Sequence, residues 1–247
     1  MYYETDEAYL LILSYYRKFE TESSSSQSHS NGIRWDTRLT ELEERLSSLE
    51  EAISLPAFRV KLAIYHHDLN SVKFKRVPQN YYDLSLNSRA VILSCATNQL
   101  CKSIIIENTL FKATDPQEIS NSKYYCLIIQ YNSKFSTEKL KDCINKWRAK
   151  LHLSERKMNF QLAPANQSNI VTGFSHNAVC PLGMLSYIPV IISKLCVSVY
   201  PSYVWLGGGE VDLKLGISIR DLLKSTNAIV GDIADRRRLE IDENLDS

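Results

Sequence analysis

The stretch TGFSHNAVCPLG, residues 172–183, sets His176 four positions before Cys180, with Ser175 beside the histidine and a glycine near either end. Such residues support three kinds of chemistry. A Cys–His pair makes a nucleophile and its base when the two side chains lie within hydrogen-bond reach. The same residue types ligate metals. A glycine-framed loop works instead through its backbone, whose exposed N–H groups form a concave site for an anion or a carbonyl oxygen. On a helix, the four-residue spacing would place His176 and Cys180 on one face. Pro181 biases Cys180 away from helical geometry, and Gly173, Asn177 and Gly183 are turn residues. The segment is therefore predicted to be a loop, and the helical pairing of His176 with Cys180 fails. Ser175 and His176 are adjacent, which does not make a triad, because a triad is defined by geometry. Local pattern leaves an ordinary turn and a backbone-lined site equally open.

The rest of the chain offers little side-chain chemistry. Its six cysteines (95, 101, 126, 143, 180, 196) show no CxxC pair and no zinc-ligand spacing. They are predicted to be reduced core residues, and neither a metal nor a cofactor is expected. The net charge of +1 announces no nucleic-acid partner by global imbalance. No apolar run approaches the roughly 18–20 residues of a membrane helix; the longest candidate, YIPVIISKLCV, is short and carries Lys194. Glu4, Asp6 and Glu7 argue against a transit peptide, and no signal-peptide pattern opens the sequence. The expected setting is cytoplasmic, with no membrane partner.

The elements that must position the loop begin near residue 56. Residues 1–55 are organised differently. Residues 4–20 read as a helix capped by Thr5, and the Ser-rich run 21–32 reads as a flexible linker. Leu39, Leu42, Leu46, Leu49 and Ile53 are spaced 3, 4, 3, 4, a short heptad seam. That helix either packs on its own domain or docks on another chain, and Pro56 is expected to close it. Beyond it, VKLAIYHH, KSIIIE, KYYCLIIQY, KMNFQLA, IPVIIS, YVWL and VDLKLGIS are predicted strands. SLNSRAVILSCA, STEKLKDCINKWRAKLHL, ANQSNIV and SIRDLLKSTN are predicted helices, with Ser136 and Ser218 as caps. Connections after residue 185 are too short for helical crossovers, so those strands are expected to pair antiparallel. The fold class is α/β of a mixed, α+β-like kind: a curved, largely antiparallel sheet flanked by helices. The expected organisation is a helical module over 1–55, a domain over 56–235 and a charged tail over 236–247.

The loop resembles the signature of the YbaK/ProX (prolyl-tRNA synthetase-associated) family of aminoacyl-tRNA editing domains, approximately TGY-x-x-GG-V-x-P-x-G. KFKRVPQNYYDLSLNSRAVILSCATNQLCKSIIIEN resembles the family's first helix and the strand bearing its lysine, which maps to Lys102. PVIISKL and YVWLGGGEVDLKLGISIRDLLKSTNAIVGDI resemble its C-terminal part. The resemblance covers about residues 70–233, in order, and the N-terminal module is an addition of the kind seen in free-standing eukaryotic relatives. One departure matters: the family's GG is Asn177–Ala178 here. Asn tolerates the left-handed region, whereas Ala178 would be strained at positive φ.

The resemblance implies trans-acting hydrolysis of the ester in a mischarged tRNA, metal-independent and assisted by the substrate's own ribose hydroxyl. An aminoacyl ester is already activated, so a site need only position it and a water. By the same resemblance Lys102 anchors the terminal adenosine's phosphate or ribose, and Gly173, His176, Asn177 and Ala178 form the catalytic loop. Phe174, Val179, Gly183, Gly208 and Asp212 shape or border the substrate pocket. The implied partner is the acceptor end of aminoacyl-tRNA, with residues 1–55 available to dock synthetases or other translation factors. Two further readings stay open: a catalytically silent scaffold of the same fold or tRNA-binding subunit of a synthetase complex, motivated by Asn177–Ala178, and an unrelated hydrolase using Cys180.

Overall fold

The computed structural model describes residues 55–112 and 118–237, together with Glu44, Arg45 and Ser47, which are helical and exposed. The chain divides into two units, Met1–Phe58 and Arg59–Ser247. The expected N-terminal helix, linker and heptad seam, and most of the charged tail, lie outside the described residues. No described helix is long and apolar enough to cross a membrane.

The described elements are α1 (Pro56–His66), β1 (Lys73–Arg76), α2 (Leu86–Leu93), β2 (Cys101–Asn108), β3 (Tyr124–Gln130), β4 (Ser133–Phe135), α3 (Thr137–Lys150) and β5 (Phe160–Leu162), followed by α4 (Ala165–Thr172), β6 (Val190–Ser193), α5 (Lys194–Val197), β7 (Tyr203–Gly207), β8 (Leu213–Ser218), α6 (Ile219–Thr226), β9 (Ile229–Gly231) and β10 (Ala234–Arg236). A five-stranded sheet has the order β5-β2-β3-β6-β9 and a three-stranded sheet the order β1-β8-β7, with a small β10-β4 pair besides. The fold is mixed α/β, as expected.

β3 is buried at every position, as befits a central strand covered on both faces. Its residues alternate between two cores. Tyr124, Cys126 and Ile128 join one that also holds Val204, Leu206, Leu215 and Ile217 of the smaller sheet. Tyr125, Leu127 and Ile129 join the other, where Leu140 and Ile144 of α3 cover them. The helix caps follow the sequence: Ser85, Ser136 and Ser218 accept the N–H groups of Ser88, Lys139 and Asp221.

Two expectations are corrected. VKLAIYHH is the body of α1 and not a strand. Val60, Ala63 and Ile64 meet the first core as a helical stripe at i, i+3, i+4. Pro56 accordingly opens a helix, where its missing N–H costs nothing. Antiparallel pairing after residue 185 holds for β7 with β8 and for β8 with β1. It fails for β6, which is parallel to β3 and to β9. The rule of short connections applies between neighbours in the chain, and β6 reaches both partners through long excursions that contain helices.

The pairing of β2 creates the site. On one edge β2 runs along the whole of β3. On the other, Leu100 bridges Trp205 of β7, and β5 takes up pairing only from Ile106, with Ala163 N–H donating to Ile105 O at 2.9 Å. Between those points no described strand pairs with this edge of β2, and the gap is a cleft.

Candidate functional site

The cleft has a volume of about 410 Å³. Lys102, Ser103, Ile104 and Ile105 of β2 form one wall. Leu162, Ala163 and the start of α4 form another, and Tyr82 and Tyr131 stand at the side. His176, Asn177 and Val179 of the signature loop close it, together with Gly207 at the end of β7. The fold thus brings Lys102 and the loop together from distant parts of the chain. Ile104, Ile105, Leu162, Ala163 and Val179 give the lining an apolar floor, and Lys102 supplies the cation.

The loop is shaped by a few backbone positions. α4 ends at Gly173 with φ +71°, and its N–H donates to Asn169 O at 2.7 Å. Thr172 Oγ1 accepts the Phe174 N–H at 3.1 Å. Asn177 adopts φ +67°, while Ala178 is not among the positive-φ residues and is fully buried. The substitution of two glycines by Asn-Ala therefore needs left-handed backbone at the first position alone, which asparagine supplies. Ala178 N–H donates to Ser175 O at 3.0 Å, closing the turn, and its carbonyl accepts from Gly209 N–H at 3.2 Å.

Gly207 lets this turn lie against β7. A Cβ there would sit 2.6 Å from Val179 O and 3.0 Å from Ala178 C. Both neighbours are backbone, so the loop itself must give way. Gly207→Ala is expected to destabilise by about 1–3 kcal/mol, the usual cost of overpacking. A lowered urea midpoint with an unchanged slope in chemical denaturation is the check.

Of the residues expected to form the site, Lys102, His176, Asn177 and Val179 line the cleft. Ala178 lies just beneath. Phe174, Gly173, Gly183, Gly208 and Asp212 do not line it. Phe174 is a core residue, 1% exposed, under the Arg59 guanidinium at 5.1 Å. Gly173 and Gly183 both accept hydrogen bonds from Arg59 and frame the loop. Gly208 N–H pairs with Leu213 O at 2.9 Å in the β7–β8 turn. Asp212 shares Arg76 with Glu210, at 2.7 and 2.5 Å, which makes both acids parts of the hairpin.

Side-chain chemistry at Cys180 is disfavoured by its surroundings. The thiol is fully buried, and burial pushes its pKa up to about 12. A buried thiol held protonated is a poor nucleophile. All six cysteines are free, and no group of three or more His, Cys, Asp or Glu that could hold a metal occurs among the described residues.

Lys102 is half-buried, its Nζ 5.6 Å from the centre of the Tyr131 ring. Burial first, and the nearby Arg237 second, draw its pKa below the usual lysine value. Both effects favour a ligand that brings negative charge.

Ser103, Tyr82 and Tyr131 carry no role in the sequence reading, and Lys214 enters it only as a partner for Asp212, which Arg76 engages instead. Ser103 Oγ is buried beside the cleft with no hydrogen-bond partner among the described residues. Tyr82 and Tyr131 line the cleft, and Lys214 Nζ donates to Tyr82 Oη at 2.6 Å. These residues come from four segments without common spacing, so no motif marks them. The one available signal was a lysine at an inward position of the predicted strand VDLKLGIS.

The sequence matches no known protein-family model and no curated protein. Solved structures do match by shape. A protein proposed to be a trans-editing enzyme for prolyl-tRNA synthetase superposes with a TM-score of 0.55 at 17% identity, over 73% of this chain and 97% of that one. The fold is YbaK-like. A computationally designed scaffold for presenting linear epitopes gives a TM-score of 0.53 at 16% identity, again over 73% of this chain and 97% of that one. A hypothetical protein gives 0.52 at 18% identity, over 72% and 99%. At these identities the likeness is one of fold.

Proposed function

We propose that this YbaK-like chain is a trans-acting aminoacyl-tRNA deacylase. It would cleave the ester between an amino acid and the terminal ribose of a mischarged tRNA, releasing free amino acid and tRNA. The observation that carries the reading is the meeting of Lys102 with the Asn177–Val179 loop in one cleft of about 410 Å³. Such a space suits the end of an acceptor strand with a small side chain. The likeness to a protein proposed as a trans-editing enzyme points the same way.

The mechanism needs no side-chain nucleophile. Lys102 would hold a phosphate or ribose oxygen as a point charge. The loop N–H groups around Asn177 and Val179 would face the oxyanion that forms as water adds to the ester carbonyl. The neighbouring ribose hydroxyl would orient that water, and the leaving ribose oxygen would take up its proton. Such a site has a purpose because a synthetase pocket separates side chains differing by one methylene by only about 10–200-fold. Docking of synthetases or translation factors on residues 1–55, in the cytoplasm, belongs to the same proposal.

A panel of mischarged tRNAs, each carrying one radiolabelled amino acid, tests it. At least one ester is expected to hydrolyse faster than in buffer, and Lys102→Ala is expected to lower kcat/KM by about tenfold or more, the loss of one charged contact. A panel left wholly intact would favour the silent-scaffold reading.

A further inference from the structure

Lys214 is 4% exposed on β8, on the sheet face covered by the Tyr81–Asp83 turn and α2. An ammonium is not taken from water without compensation. This one donates to Tyr82 Oη at 2.6 Å and to Val211 O at 2.8 Å. It also lies 4.4 and 5.1 Å from the ring centres of Tyr82 and Tyr81. Tyr82 Oη in turn meets Asn177 O at 2.6 Å. A phenol has one proton to give, and a charged lysine only donates. The direction is therefore fixed: Lys214 donates to Tyr82, and Tyr82 donates to Asn177.

The last bond falls on the peptide between Asn177 and Ala178. Its carbonyl is held by Tyr82, and its N–H is held by Ser175 O at 3.0 Å. Rotation of that peptide would break both bonds and turn the carbonyl away from Tyr82. We propose that Lys214 is a positioning residue of the cleft, which through Tyr82 pins the Asn177–Ala178 peptide and so fixes the loop backbone where Asn177 and Val179 line the cleft. This inference takes the loop as the substrate-facing element of the proposed deacylase.

The surrounding charges define how the device titrates. Asp212, two positions earlier, favours the ammonium, and Arg89 of α2 opposes it. Lys75 is the β1 residue in register with Lys214. Arg76 and Glu210 are engaged with each other, and Arg76 also with Asp212. Tyr81 and Tyr82 stay protonated, since burial raises both phenols well above their ordinary value. Burial is the main influence on Lys214, and it lowers the pKa to about 8. Within a workable pH range the lysine is thus the member of the chain that loses its proton, and neutral Lys214 is a weaker donor to Tyr82.

The test follows the methyl resonance of Ala178 in protein carrying 13C-methyl alanine, assigned through Ala178→Ser, from pH 6.5 to 10. The wild type is expected to show a step near pH 8 that is lost in Lys214→Met. Lys214→Arg, charged throughout this range, should also lack the step and keep the low-pH position. In deacylation, Lys214→Met is expected to lower kcat about tenfold while KM stays within about threefold, and to remove the alkaline limb of the pH profile. A step near pH 8 that persists in both Lys214→Met and Lys214→Arg overturns the inference. A step abolished in both, in a protein that hydrolyses no mischarged tRNA, upholds the brace and overturns the deacylase.

Discussion

Arg59→Met is expected to lower stability by about 3 kcal/mol or more, because one side chain holds both ends of the signature loop. Arg59 lies on α1, 8% exposed. Its Nη2 donates to Gly173 O at 2.6 Å and its Nε to Gly183 O at 3.1 Å, while its guanidinium covers the Phe174 ring. Hydrogen bonds to charged groups contribute about 1.5–3 kcal/mol each, and the two carbonyls are only partly exposed to water that could replace those bonds. Methionine keeps most of the volume and restores neither bond. The glycines show how tightly the arrangement is made. A Cβ at Gly183 would lie 2.7 Å from the Arg59 carbonyl carbon and oxygen, and both Gly173 and Gly183 sit at positive φ. Arg59→Lys should recover little of the loss, since an ammonium cannot reproduce a fork directed at two carbonyls. The midpoint of urea denaturation gives the magnitude. A loss below about 1 kcal/mol, within the range of an ordinary surface change, would show that the loop is held by other means.

The structure explains what could be read from the sequence and what could not. The loop, its framing glycines and the left-handed Asn177 were legible, because a proline, two glycines and an asparagine restrict backbone geometry locally. The caps at Ser136 and Ser218 were legible for the same reason. Lys102 was marked by resemblance alone; its spacing carries no signal, and its meeting with the loop depends on the unpaired edge of β2, a matter of sheet topology. Phe174 illustrates the converse. It stands inside the signature, yet its ring belongs to the core and to Arg59, so position in a motif did not decide which way a side chain turns. The misreading of VKLAIYHH arose because Val60, Ala63 and Ile64 fit a helical stripe as well as a short apolar run. Arg59, Tyr82 and Tyr131 were invisible because each is ordinary by itself, and only the tertiary fold gathers them with Lys214.

Lys214 also makes stability depend on pH in a direction opposite to that of an exposed ion pair. In the folded chain its pKa is lowered from 10.5 to about 8, with burial the first cause. In the unfolded chain the lysine keeps its ordinary affinity for the proton. Between these two values the unfolded state binds more protons than the folded one, so stability rises with pH across that window. Below about pH 8 the folded protein bears the full cost of an ammonium held out of water. At about 1.4 kcal/mol for each tenfold in proton affinity, that cost is roughly 3 kcal/mol. Lys214→Met replaces the charge by an apolar chain of similar length and has no such dependence. The stability of the wild type relative to Lys214→Met is therefore expected to rise by roughly 3 kcal/mol between pH 7 and pH 10.5, following the Lys214 titration. Urea denaturation of both proteins at several pH values measures this difference, and the groups common to both cancel. A constant difference across the range would mean that the folded lysine titrates as it does in water. The same proton that costs stability is the one that, in the proposed brace, keeps the Asn177–Ala178 peptide in place. A group buried at such expense behind a cleft is what a working site shows when local precision is retained at the cost of global stability.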